Sequence, residues 1–229
     1  MTLALIVILP LLGSLLPLLF KNQGRSLCAT MAMVAPVIGL ALLWRHADAV
    51  FAGQTLIQSR PWLSELGLNI SFRLDGLSFL FALMIQGIGL LVILYARYYL
   101  SKNDPMGRFF CYLQLFMSAM LGVVLSENLL LLMVFWEMTS LSSFLLIGYW
   151  SHSTDARKGA RMALAVTGAG GLALLAGILL LGQIVGSYEL TDVFAAGEQI
   201  RQHALYPVIL VLVLLGVFTK SAQFPFHFW

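Results

Sequence analysis

Long apolar runs alternate with short polar intervals along this chain. Apolar residues fill 2–20, 26–45, 76–99, 106–125, 128–149, 159–184 and a stretch that begins near Tyr206-Pro207. About 20 such residues cross a ~30 Å hydrocarbon core as a helix, and the ten-residue alternation of a membrane barrel is missing. The pattern predicts an all-α fold, a polytopic bundle of about seven transmembrane spans. It reads as a single membrane domain over 1–229, with three helices in 1–100 and four in 105–229. The first run has neither a basic leader nor a small-residue cleavage motif, which favours a retained helix over a signal peptide.

The longest polar interval, 46–74, ends in Leu66-Gly-Leu-Asn-Ile-Ser-Phe-Arg-Leu74, whose period of two predicts a short β-ribbon near 60–74. Asp75 is placed to cap the third span, since an aspartate oxygen accepts from the free amides of a first turn. Glu127-Asn128 supplies the tight turn before the fifth span. Residues 187–204 read as a short amphipathic surface segment. In the sixth span Ala165, Ala169, Ala173 and Gly177 recur every four residues, a small-residue stripe expected to let another helix approach closely.

Composition sharpens the picture. With 60% of residues hydrophobic and 10% charged, the polar surface of a soluble domain is missing. The 13 basic residues are scattered over loops, so the net charge of +3 marks topology and no nucleic-acid partner is expected. Lys21, Arg25, Arg97, Lys102, Arg108, Arg157, Lys158 and Arg161 fall on one side of the predicted bundle. That side is expected to be cytoplasmic, which places the N-terminus outside. Cys28 and Cys111 lie in apolar segments far apart and read as packing residues. No metal, haem, iron-sulfur, nucleotide or flavin motif is present, so no cofactor and no metal site are expected.

Of the 13 basic and 10 acidic residues, only Glu137 and Lys220 fall well inside spans. A charge at the bilayer centre costs at least ~2.5 kcal/mol, so it persists where it is partnered or useful. Pro225 follows Lys220 by five residues, and a proline removes a backbone donor and clashes with the carbonyl four residues before it. The seventh helix is therefore expected to break near Lys220–Pro225, a plan that recurs at ion sites in transporters. Desolvation favours the neutral form of an amine and a nearby carboxylate the charged form, so a change in separation would move a proton. The competing account is a structural ion pair between two helices.

Ser140 shares a helix face with Glu137, and Thr139, Ser142 and Ser143 add hydroxyls; each taken singly is expected to bond back to the preceding turn. His227, two residues past Pro225, is a candidate proton relay, or a histidine satisfied by backbone. Hydrolysis by Ser221 with His227 as base is disfavoured, because the two lie six residues apart across a helix break with no oxyanion arrangement.

Phe135-Trp-Glu-Met-Thr-Ser-Leu-Ser-Ser-Phe-Leu-Leu-Ile-Gly-Tyr-Trp150, Phe218-Thr-Lys-Ser-Ala-Gln-Phe-Pro-Phe-His-Phe-Trp229 and Leu74-Asp-Gly-Leu-Ser78 resemble the antiporter-like subunits of complex I, membrane-bound hydrogenases and Mrp-type multisubunit antiporters. The large A subunit of the Mrp antiporter is the most similar branch. The resemblance implies that Glu137 and Lys220 are the proton-moving pair of a monovalent cation (Na+)/proton antiporter subunit. Such a protein is a secondary transporter and not an enzyme, with other membrane subunits as partners and a bacterial inner membrane as its location. The alternative is a proton-translocating subunit of complex I or of a membrane-bound hydrogenase. The family fold is an inverted repeat of two five-helix units. A chain ending at Trp229 is expected to be a fragment that holds an incomplete first repeat.

Overall fold

The computed structural model describes residues 2–101 and 103–229. Lys102, one of the basic positions used above for orientation, lies outside the described residues. Helices α1 (Thr2–Gly13), α2 (Leu15–Leu19), α3 (Arg25–Trp44) and α4 (Ala47–Phe51) precede a hairpin of β1 (Leu56–Leu63) and β2 (Leu68–Leu74). Then come α5 (Gly76–Tyr99), α6 (Met106–Leu125), α7 (Leu129–Ile147), α8 (Thr154–Val185), α9 (Leu190–Ala195), α10 (Gly197–Gln202) and α11 (Tyr206–Lys220). Among the described residues six helical stretches, with α1 and α2 counted as one, are long and apolar enough to cross a membrane. The fold is therefore helical and multi-pass. The seventh, α11, has 15 residues and reaches about 22 Å at 1.5 Å per residue.

Two compact units divide the chain, one of residues up to Gln58 with Phe72–Leu125, the other of Ser59–Ser71 with Ser126–Trp229. In the first, α1, α3, α5 and α6 pack together. Buried amides and hydroxyls join them: Gln114 Nε2 donates to the Ala32 carbonyl at 2.8 Å and Ser118 Oγ to the Val7 carbonyl at 2.7 Å. Such bonds between helices are a usual device in a lipid-soluble bundle, where apolar contact alone gives little preference over lipid. Asp75 caps α5 as expected. Its Oδ1 accepts from Ser78 N at 3.0 Å while Asp75 N donates to Ser78 Oγ at 2.8 Å, a reciprocal capping box. At the other end of α5, the Arg25 guanidinium donates to the carbonyls of Arg97, Leu100 and Ser101 at 2.8, 2.5 and 2.7 Å. A cation there satisfies last-turn carbonyls and meets the negative end of the helix dipole. The α2–α3 and α5–α6 connections thus lie side by side.

In the second unit α8 packs against both α7 and α11. One end is tied by a polar cluster. The Asn128 side chain caps α7 by accepting from Leu130 N and Leu131 N, and its Nδ2 donates to the Gly67 carbonyl and to Glu189 Oε1, both at 2.9 Å. Asn69 Nδ2 donates to the same Glu189 oxygen at 2.9 Å. Glu127, buried, accepts at Oε1 from the amide and hydroxyl of Thr191. Between Gly67 and Gly182 lies the ring of Tyr188, close enough that a Cβ on either glycine would overlap it.

Two expectations change. The seventh helix does not continue beyond a break at Pro225. It ends at Lys220, and residues 221–229 take turns. Ala222 adopts a left-handed φ of +52°, and Gln223 N donates to the Phe218 carbonyl at 3.0 Å, so a capping turn stops the helix before the proline can clash. The close-packing face of α8 also differs from the expected stripe. Ala165 and Ala169 are exposed, while Ala163, Thr167, Gly170, Gly171, Leu174 and Gly177 are buried. A strict four-residue repeat drifts ~40° per step around a helix of 3.6 residues per turn, so a buried face needs steps of three as well as four.

Candidate functional site

Glu137 sits midway along α7, and Lys220 is the last residue of α11. The Lys220 ammonium donates to Ser140 Oγ at 2.8 Å, lies 3.5 Å from the Trp136 carbonyl oxygen, and sits 5.4 Å from the centre of the Trp136 ring. Hydroxyl, carbonyl and aromatic face together replace part of the hydration an ammonium loses on leaving water. Ser140 stands one turn beyond Glu137 on α7, so the amine is seated beside the carboxylate's own helix. No Glu137–Lys220 ion pair forms among the described residues.

Neighbouring hydroxyls behave differently. Thr139 Oγ1 donates to the Trp136 carbonyl at 2.7 Å and Ser142 Oγ to the Met138 carbonyl at 2.7 Å, the back-bonding expected of them singly. Ser140 is the hydroxyl of this group that receives the lysine.

Two consecutive glycines of α8 complete the site. A Cβ on Gly171 would overlap Glu137 Oε1 and stand 3.0 Å from Cδ, and one on Gly170 would overlap the Thr219 hydroxyl beside Lys220. Glu137 Oε1 is buried and makes no hydrogen bond to a described residue. Gly216 on α11 reciprocates, since a Cβ there would meet Leu174 Cβ at 2.6 Å and the Gly170 carbonyl at 3.0 Å. Absent side chains therefore bring α8 against both charge-bearing helices.

The other candidates are not gathered in. His227 is exposed and stacks on Phe224 with ring centres 5.5 Å apart, and no hydrogen bond joins it to Lys220 or Glu137. Pro225 lies beyond the helix end. Ser221 Oγ donates back to the Val217 carbonyl at 2.8 Å, so it forms no dyad with His227. The carbonyl of Thr219 accepts instead from the Trp229 indole at 2.9 Å. No group of three or more metal-ligating side chains occurs among the described residues. Sequence reasoning missed Gly170, Gly171 and Trp136. A pair of adjacent glycines in an apolar helix was the signal available for the first two.

Residues 126–229 match the family described as NADH:quinone oxidoreductase/Mrp antiporter, TM, and residues 62–110 match NADH-ubiquinone oxidoreductase (complex I), chain 5 N-terminus. A relative from Rhizobium meliloti (strain 1021), described as a probable K(+)/H(+) antiporter A/B subunit, is 51% identical over 227 residues, 99% of this chain and 23% of the relative. The Na(+)/H(+) antiporter A1 subunit of Staphylococcus haemolyticus (strain JCSC1435) is 43% identical over 224 residues, 97% of this chain and 28% of the relative. Among solved structures, the Mrp complex from Dietzia sp. DQ12-45-1b superposes with a TM-score of 0.86 at 30% identity, covering 99% of this chain and 24% of that one. The archaeal membrane-bound sulfane sulfur reductase superposes at 0.81 with 22% identity, a likeness of fold alone, over 100% of this chain and 35% of that one. The chain thus spans about a quarter of the length of the curated relatives it matches. It belongs to the family of antiporter-like membrane subunits and corresponds to the N-terminal part of the large A-type protein of Mrp antiporters.

Proposed function

We propose that this chain supplies a proton-conducting element of a monovalent cation/proton antiporter, with Na+ as the exchanged cation or another of the same charge. Glu137 and Lys220 are the groups that hold and pass the proton. The observation that carries the reading is the seat of Lys220: its ammonium rests on Ser140, one turn from Glu137, and is not locked to the carboxylate. An amine with a polar resting place can leave and rejoin a carboxylate without entering bare hydrocarbon. Drawing near favours the charged amine and withdrawal favours release of a proton, so a small excursion does the work and no covalent step is needed. His227 would act later on the path, from its exposed position beyond the helix.

On this reading the partners are other membrane subunits of a hetero-oligomer. The protein sits in a bacterial inner membrane with its N-terminus outside and its basic loops in the cytoplasm. The redox-driven alternative uses the same pair, but the relatives at 43% and 51% identity are named as antiporter subunits, whereas the likeness to a reductase is one of fold.

Arginine tests the carrier role. Its pKa of roughly 12.5 or more keeps it charged where a buried lysine can shed a proton. Cation-dependent dequenching of a pH-sensitive dye, in everted vesicles holding equal amounts of the assembled protein, should be abolished by Lys220→Ala and by Lys220→Arg alike. Near-normal exchange with Arg would leave only a structural pair.

A further inference from the structure

A second polar site lies within the first unit. Where the α2–α3 and α5–α6 connections meet, a cavity of about 510 Å³ opens among Lys21, Asn22, Arg25, Asp104 and Arg108, with Leu18, Cys28 and Met106 on its apolar wall. Three cations and one carboxylate line it, and its volume falls within the ordinary range for small-molecule sites, roughly 300–1,000 Å³.

The framework of this cavity is fixed. Arg25 is held by the last-turn carbonyls of α5, and Asp104 Oδ2 accepts from Ser101 N at 2.8 Å, which sets the α5–α6 connection. Gly107 brings α6 against α2 so closely that a Cβ would stand 2.7 Å from the Pro17 carbonyl oxygen and 3.0 Å from Lys21 Cβ. That approach sets the exposed Lys21 and Arg108 at the rim. Leu15 and Leu19, on the same short helix that leads into Lys21, are exposed large apolar side chains. Exposed leucine thus gives way to a basic side chain, Lys21, within two residues at the end of a candidate span.

From this juxtaposition we infer that the cavity binds a phosphate group, in the membrane the phosphodiester headgroup of an anionic lipid, whose acyl chains lie along Leu15 and Leu19. Arg and Lys recognise phosphate by charge-assisted hydrogen bonds, the Asn22 amide adds a neutral donor, and basic pockets between helix ends are suited to anionic headgroups. Asp104 offsets one of the three cations, and the net positive charge that remains favours an anionic phosphodiester over a zwitterionic headgroup.

The test uses the protein purified in mild detergent from its own membrane. Native mass spectrometry counts retained phospholipid, and thermal melts are run with added phosphatidylglycerol, phosphatidylcholine or inorganic phosphate. Phosphatidylglycerol should be retained and should raise the melting temperature, and phosphatidylcholine should do neither. The double variant Lys21→Gln, Arg108→Gln should weaken phosphatidylglycerol binding roughly tenfold or more. Asn22→Asp, which keeps both cations, should weaken it as well, and Lys21→Arg should preserve it. Equal binding of phosphatidylcholine, or unchanged retention in the double and Asn22→Asp variants, overturns the site. Displacement of the lipid by millimolar inorganic phosphate overturns the lipid assignment and leaves a soluble phosphate as the ligand.

Discussion

Gly171 and Glu137 face each other across the α7–α8 contact with no space for a methyl group between them. The carboxylate is therefore positioned by an absence on the opposite helix as much as by its own backbone.

Gly171→Ala should displace the Glu137 carboxylate and cut antiport severely. Helix propensity alone would make the change stabilising by about 1 kcal/mol. Gly168→Ala on the same helix, where nothing lies within 4 Å of an added Cβ, is the matched control and should leave transport unchanged. Equal rates for the two variants in the dye assay would mean that Glu137 has freedom this packing denies it.

Ser140→Ala removes the acceptor at 2.8 Å from Lys220. A hydrogen bond to a charged group is worth about 1.5–3 kcal/mol, so exchange should fall roughly tenfold or more at constant protein level. Ser142→Ala, which deletes only bonds back to the Met138 and Thr139 carbonyls of its own helix, should fall within twofold of the unaltered protein. If the two serines cost the same, Ser140 is no more than another back-bonded hydroxyl.

The seat of Lys220 also illustrates what could be read from the chain directly. Two charges inside apolar runs stand out, because burying each is costly, and the spans follow from run length alone. Asp75 was legible because capping is local. Which of four hydroxyls between 139 and 143 meets the lysine was not legible, since it depends on where α11 ends. That end depends on an alanine at φ +52°, a conformation alanine gives no warning of. The buried face of α8 was likewise hidden, because Ala165 and Gly170 are equally small and only the neighbouring helices select between them.

Asp75 predicts a pH dependence outside the membrane core. Burial pushes its carboxyl up, but the Ser78 amide, the Arg73 guanidinium and the Ser78 hydroxyl together hold it below the usual carboxylate range. A carboxylate depressed on folding stabilises above its unfolded pKa, about 3.9, and that stability is lost as pH falls through the folded value. Asp75→Ala should therefore lower the detergent melting temperature at pH 7, where a lost N-cap costs about 0.5–2 kcal/mol. The gap from the unaltered protein should narrow below about pH 4. A gap that stays constant from pH 7 to pH 3 would assign the effect to shape.

Asn128 makes both the α7 cap and the bonds to Gly67 and Glu189. Asn128→Asp keeps the capping oxygens but brings a second carboxylate against Glu189, whereas Asn128→Ala loses both functions. Asp should be the more destabilising of the two, because a buried like-charge contact outweighs a lost cap. Proteolysis of the 59–71 hairpin tip in intact protein would report it, and faster cleavage of the Ala variant would reverse the ranking.

The hairpin tip also imposes an order of assembly. Asn69 is synthesised before α5, yet the Glu189 oxygen it bonds lies 120 residues later, beyond α8. The tip must wait without its Glu189 partner while four more helices are threaded into the bilayer. Only when the α8–α9 connection has crossed to the same side can Asn69, Asn128 and Glu189 close on one another. Closure of this clasp therefore registers that α7 and α8 have inserted in the right sense, and a ribosome stalled before residue 189 would leave the tip open to protease.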